Sequence, residues 1–198
     1  MNLPNRLTVA RLIMVPAFVV FMMMDTAWGY FLAWFIFIAA SVTDWLDGRI
    51  ARAQNLVTSF GKLMDPIADK ILVASAFVMM MEIDVLRIPG WTVVAILARE
   101  FLVTGARSMA AAEGSVIAAN MWGKTKAMIQ MIFIGVFSFV SGACLMAQDF
   151  YPDEFQTYAD YVRQISHWTI VLVAIFTVYS GLQFARSNWA ALRLGMKE

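Results

Sequence analysis

Hydrophobic residues in this chain run in long blocks, and the charged residues gather where the blocks end. Three stretches carry no charge and are long enough to cross a bilayer: 26–43, 127–148 and 168–185. Three shorter ones, 12–24, 71–81 and 88–98, cross it only when flanking or internal charges are admitted. The pattern predicts six helices over 5–24, 29–52, 61–83, 90–112, 122–147 and 165–187. The alternative is five, with one short run lying at the interface. The expected fold class is an all-α polytopic membrane protein with six transmembrane helices, forming one domain over 1–198.

Composition agrees. Of 198 residues, 61% are hydrophobic and 15% charged, with a mean hydropathy of +0.70, whereas soluble domains carry about 25% charged residues. No soluble core of this size hides so much apolar surface, so the bilayer must act as solvent. A formal net charge of +1 says nothing about partners; no nucleic-acid partner is expected. The single cysteine, Cys144, excludes an intramolecular disulfide and reads as a small buried hydrophobe. The first apolar run shows no small-residue cleavage site and reads as retained.

Placement of the basic residues sets the expected topology. With the N-terminus in the cytoplasm and the helices alternating, all but Arg87 and Arg163 of the 15 Lys and Arg residues fall at cytoplasmic ends. The positive-inside rule then puts both termini in the cytoplasm. The stretch between helices 5 and 6 reads as an acidic outer loop, with Asp149, Asp153, Glu154 and Asp160. His167, beside Trp168 on that side, reads as an interfacial residue rather than a catalytic one.

The chemistry concentrates in residues 44–70. Asp44 and Asp47 are three apart, and Asp65 and Asp69 four apart; on helices, each spacing puts both carboxylates on one face. The first pair lies near the end of helix 2 and the second near the start of helix 3, so antiparallel packing would bring four carboxylates to the cytoplasmic rim. Such a cluster near hydrocarbon needs something to offset its repulsion and desolvation. Hard divalent cations with oxygen ligands suit it, and four aspartates suit two ions of a phosphoryl-displacement site. The bland alternative is solvated loop carboxylates balanced by Arg49, Arg52, Lys62 and Lys70. Gly48, Ala51 and Gly61 leave room beside the cluster for a close approach to the backbone, or serve only helix packing.

These residues fit the spacing D-x-x-D-G-x-x-A-R-x8-G-x-x-x-D-x-x-x-D at Asp44, Asp47, Gly48, Ala51, Arg52, Gly61, Asp65 and Asp69. The segment resembles the signature of the CDP-alcohol phosphotransferases. The resemblance implies a six-helix membrane fold, a homodimer, and an interfacial active site open to the cytoplasm of a bacterial-type inner membrane. It implies two divalent cations, Mg2+ or Mn2+, held by Asp44, Asp47, Asp65 and Asp69, with Asp69 as general base. It also places Asp47, Gly48, Ala51, Arg52 and Gly61 around the CDP portion of CDP-diacylglycerol.

Helix 4 contains AREFLVTGAR at 98–107. Charges in the middle of an apolar helix are costly, which makes Arg99 and Glu100 functional candidates. Glu100, Thr104 and Arg107 share a face, with Arg99 turned about 100° away. Arg99, Arg107 and Lys124 could together hold a dianionic phosphate, arginine through its planar fork and lysine as a point charge. Alternatively, Arg107 and Lys124 are positive-inside anchors and Arg99 is neutralised by Glu100. PNRLTVAR at 4–11, AREFLVTGAR and GKTK at 123–126 resemble the branch of the family whose acceptor is glycerol 3-phosphate, a likeness that fades after about residue 135. It implies Arg99, Arg107 and Lys124 at the acceptor phosphate and Asn5, Thr8 and Arg11 at the CDP-lipid. Inositol phosphate, inositol and serine remain alternative acceptors, and a cation transporter using the acidic cluster is the rival of another class.

The expected topology is tested by cysteine labelling in membranes. Cysteines at Asn55 and Ser115 should react only from the cytoplasmic side, and one at Asp153 only from outside; the reverse pattern inverts the orientation.

Overall fold

A computed structural model describes the backbone of residues 3–54, 59–112 and 121–189, with the side chains of 9–43, 67–68, 70–111 and 121–189. Six α-helices and no strand occur among the described residues: α1 Leu3–Met23, α2 Ala27–Gln54, α3 Ser59–Met80, α4 Gly90–Ala112, α5 Met121–Phe150 and α6 Pro152–Ser187. The six expected helices are all present.

Helix α6 starts well before its expected position. The stretch read as an outer loop is helical from Pro152, broken from α5 only at Tyr151. Proline suits the first helical turn because its missing N–H would be unpaired there. Asp153 and Glu154 lie in that same turn, where carboxylates complement the helix dipole. At 36 residues α6 is about 54 Å long, well beyond the roughly 30 Å hydrocarbon layer. Among the described residues, two helices, α5 and α6, are long and apolar enough by themselves to cross a membrane. Helices α1, α2 and α3 contribute shorter apolar stretches at Val9–Met23, Ala27–Thr43 and Lys70–Met80.

The chain groups into two compact units: Met1–Arg87 with Ile134–Gln164, and Ile88–Phe133 with Ile165–Glu198. In the first, α1 packs on α2 and α3. Its buried stripe is Arg11, Val15, Phe18 and Met22; α2 buries Tyr30, Ala33, Phe37 and Ala40, and α3 buries Ala68, Leu72, Ala76 and Met80. These three- and four-residue steps keep one helical face inward. The rings of Phe18 and Phe37 meet at 6.2 Å, and Phe139 of α5 lies 5.3 Å from both Phe31 and Trp34.

The outward faces are no less apolar than the core. Ile13, Val20, Phe35 and Val78 are exposed in this unit, as are Val94, Leu102, Leu172 and Leu182 in the other. A soluble monomer rarely exposes a contiguous apolar patch beyond about 300–600 Å². Exposed apolar side chains on successive helices are what a hydrocarbon solvent permits.

The turn from α1 to α2 is closed by local bonds. Asp25 adopts a positive φ of 46° and accepts the Tyr30 hydroxyl at 2.5 Å. Thr26 caps α2, its Oγ1 accepting the Gly29 amide at 3.1 Å. A Cβ on Gly29 would lie 2.6 Å from the Phe21 carbonyl oxygen and 3.0 Å from the Met24 Cβ. Gly29→Ala should therefore destabilise the protein by about 1–3 kcal/mol, read as a lower thermal midpoint in detergent. Gly105→Ala, where an added Cβ meets nothing within 4 Å, is the control and should cost nothing. Equal midpoints for the two variants would contradict this packing.

Candidate active site

Asp44 and Asp47 both lie within α2, and Asp65 and Asp69 within α3. The helical spacing inferred from sequence therefore holds, and each pair of positions shares a helix face. Gly48, Ala51 and Arg52 follow on α2, and Gly61 lies in the first turn of α3, which starts at Ser59. Whether the two carboxylate pairs converge, and how the side chains around the CDP portion are arranged, lies outside the described residues. The donor set itself fits: four carboxylates on two helices offer hard oxygen ligands, the kind magnesium and manganese take. Asn5 and Thr8 sit on α1, with side chains outside the described residues. Arg11, one turn further on, is fully buried at the head of the stripe that α1 presents to its neighbours.

The second unit carries a polar arrangement built inside apolar helices. Arg99 and Glu100 of α4 are both buried, as are Lys126 and Gln130 of α5 and Thr177 and Ser180 of α6. Charges at such depth persist only when paired and hydrogen-bonded. Glu100 Oε1 accepts from Arg99 Nη1 at 3.3 Å and from Lys126 Nζ through a short ion pair. Lys126 Nζ also donates to Gln130 Oε1 at 3.3 Å, and Gln130 Nε2 donates to Thr177 Oγ1 at 3.2 Å. One turn further along α6, Ser180 Oγ accepts from Arg99 Nη2 at 2.8 Å. The result is a ring of six side chains across three helices, with the Thr177–Ser180 segment of α6 closing it.

Helix α6 also makes room for the arginine. A Cβ on Gly181 would stand 2.9 Å from Arg99 Cγ, so the glycine lets the side chain lie along the helix backbone. Beside it, an open groove of about 490 Å³ runs between α4 and α6, lined by Ala95, Ala98, Leu102, Val103, Val178 and Leu182. Its walls are apolar apart from Arg99, which suits hydrocarbon rather than a phosphate.

The three expected phosphate ligands are in different settings. Arg99 has two of its five N–H groups engaged by Glu100 and Ser180, and its buried Nε has no hydrogen-bond partner among the described residues. Arg107 is half-buried, with its guanidinium carbon 5.2 Å from the Phe184 ring centroid and its Nε also without a hydrogen-bond partner among the described residues. Lys124 is exposed in the first turn of α5, whereas Lys126 is the lysine that turns inward. The sequence alone singles out Lys124 and gives Lys126, Gln130, Thr177 and Ser180 no role. The available signals were the four-residue step from Lys126 to Gln130 and the three-residue step from Thr177 to Ser180. His167 meets Trp168 edge-on at 5.2 Å, and Cys144 is buried.

The model of the CDP-alcohol phosphatidyltransferase family matches residues 1–179. The chain belongs to this family. Its match runs into α6. One relative is the CDP-diacylglycerol--glycerol-3-phosphate 3-phosphatidyltransferase of Bacillus subtilis, 39% identical over 97% of each chain. Another, with the same name, is from Rickettsia bellii and is 37% identical over 90% of this chain and 92% of its own. A cardiolipin synthase (CMP-forming) from Oryza sativa is 36% identical over 75% of this chain but only 49% of its own.

Removing the carboxylate of Glu100 would leave two buried cations unbalanced. Glu100→Ala should destabilise the protein by about 3 kcal/mol and lower its thermal midpoint. The double variant Glu100→Ala/Lys126→Met should recover part of that loss. A Glu100→Ala variant as stable as wild type would contradict the buried ion pair.

Proposed function

We propose that this chain transfers the phosphatidyl group of CDP-diacylglycerol to the hydroxyl of glycerol 3-phosphate, giving phosphatidylglycerol phosphate and CMP. The observation that carries the reading is the likeness to the Bacillus subtilis enzyme over 97% of both chains. The relative from Rickettsia bellii carries the same name.

The residues supply a consistent chemistry. Arg99, Arg107 and Lys124 hold the acceptor's phosphate; a neutral acceptor would not need three cations, two of them on an apolar helix. Asp69 accepts the proton of the acceptor hydroxyl, whose oxygen attacks the β-phosphorus as the bond to CMP breaks. The displacement is direct, with no covalent intermediate on the protein, so binding and orientation of the two substrates are its main contribution. Asn5, Thr8, Arg11, Gly48, Ala51, Arg52 and Gly61 hold the CDP-lipid. Asp44, Asp47, Asp65 and Asp69 would hold two divalent cations, which offset the negative charge of the diphosphate when bound. The base and ligand roles are carried over from the family signature, and the donor chemistry of four helical aspartates supports them. The reading includes six spans with both termini in the cytoplasm, an active site facing the cytoplasm, and a homodimer. The distribution of Lys and Arg supports the orientation, and the family resemblance supports the rest.

The test uses purified protein, CDP-diacylglycerol, magnesium or manganese, and a panel of acceptors: glycerol 3-phosphate, inositol phosphate, inositol, serine and a phosphatidyl lipid. CMP release should depend on glycerol 3-phosphate and stop in excess chelator. Asp69→Asn should lower turnover by about 10²–10⁴-fold while leaving CDP-lipid binding measurable. Efficient transfer to inositol or serine would replace the acceptor assignment, and full activity in chelator would remove the metal assignment.

A further inference from the structure

The ring on α4, α5 and α6 holds one of the cations assigned to the acceptor phosphate, and two of its members come from α6. We infer that Thr177 and Ser180 are positioning residues for the acceptor site, fixing the Arg99 guanidinium from the far side of the ring. The inference rests on the glycerol 3-phosphate reading above and adds a specificity role for a helix that the signature residues do not reach.

Three observations support it. Ser180 Oγ accepts from Arg99 Nη2 at 2.8 Å, the shortest contact that the arginine makes within the ring. Gly181, the next residue, admits the Arg99 stem where any Cβ would stand 2.9 Å from Cγ. Thr177, one turn back, anchors Gln130 and through it Lys126 and Glu100. All six side chains are buried, so no water competes strongly for their donors, and each bond constrains the next. A long arginine has many rotamers and loses about 2 kcal/mol of rotamer entropy when fixed. A ring that fixes it beforehand removes that cost from acceptor binding. The guanidinium retains N–H donors that neither Glu100 nor Ser180 takes, so it can be positioned by the ring and still meet a phosphate. Neither α6 hydroxyl needs to touch substrate, which is why their loss should show on one substrate only.

The experiment measures kcat and both KM values for the purified full chain in nanodiscs with CDP-diacylglycerol, glycerol 3-phosphate and magnesium. The variants are Ser180→Ala, Thr177→Val, Gly181→Ala and the conservative Thr177→Ser. Ser180→Ala, Thr177→Val and Gly181→Ala should raise the KM for glycerol 3-phosphate by about 3- to 10-fold, as loss of a single supporting hydrogen bond does. Thr177→Ser should keep the wild-type value, and the KM for CDP-diacylglycerol should stay within twofold throughout. In an Arg99→Ala background, Ser180→Ala should add nothing. Thr177→Val is nearly isosteric, so it reports even if Gly181→Ala fails to fold.

An unchanged acceptor KM in Ser180→Ala and Thr177→Val would overturn the inference. So would a parallel rise in both KM values, or a full Ser180→Ala effect without Arg99. A wild type that releases no CMP in response to glycerol 3-phosphate would remove the functional reading and this inference with it, and that result appears before any variant is made.

Discussion

A single carboxylate, Glu100, keeps two cations inside a bundle of apolar helices. Arg99 and Lys126 both donate to its Oε1, and without it each would face the cost of an unpaired buried charge. The buried ring of this unit follows from that constraint. Lys126 needs a second acceptor and takes Gln130; Gln130 has an amide to place and takes Thr177; Arg99 turns its other terminal nitrogen to Ser180. Apolar side chains cannot satisfy these groups, so three helices are tied together by donors and acceptors.

The two units carry different charged groups. One carries the acidic positions on α2 and α3, where carboxylates at helical spacing suit divalent ions and a diphosphate. The other carries the cations on α4 and α5, which suit the phosphate of an acceptor. A transferase needs both functions, one substrate with a leaving group and one with a nucleophile, each held with its own electrostatics. The signature at 44–69 belongs to the first. The likeness to glycerol 3-phosphate enzymes at 98–107 and 123–126 touches the second.

The helices were legible in the sequence because charge-free blocks of bilayer length have few alternative structures in hydrocarbon. The beginning of α6 was not. Between 148 and 164 the chain is acidic and polar, which reads as loop, yet Pro152 followed by Asp153 and Glu154 makes a stable helical start. The aspartate signature was legible because eight fixed positions at fixed spacing are hard to meet by accident. The ring was only half legible: Arg99 and Glu100 stand out as charges on an apolar helix. Thr177 and Ser180 do not, because small hydroxyls are common in membrane helices and ordinarily bond back to their own backbone. Ser41 does so to Phe37 at 2.8 Å, and Thr43 to Ala39 at 2.7 Å. Only three-dimensional packing distinguishes a hydroxyl that bonds across helices from one that bonds along its own.

The direct test of the acceptor site is equilibrium binding of glycerol 3-phosphate and of glycerol to the purified protein in nanodiscs, for wild type and for Arg99→Ala. If Arg99, Arg107 and Lys124 hold the acceptor by its phosphate, glycerol 3-phosphate binds and glycerol does not. Arg99→Ala then weakens binding at least about 10-fold, the loss of one charge-assisted contact. Equal binding of the two ligands to wild type, or unchanged affinity in Arg99→Ala, would contradict it.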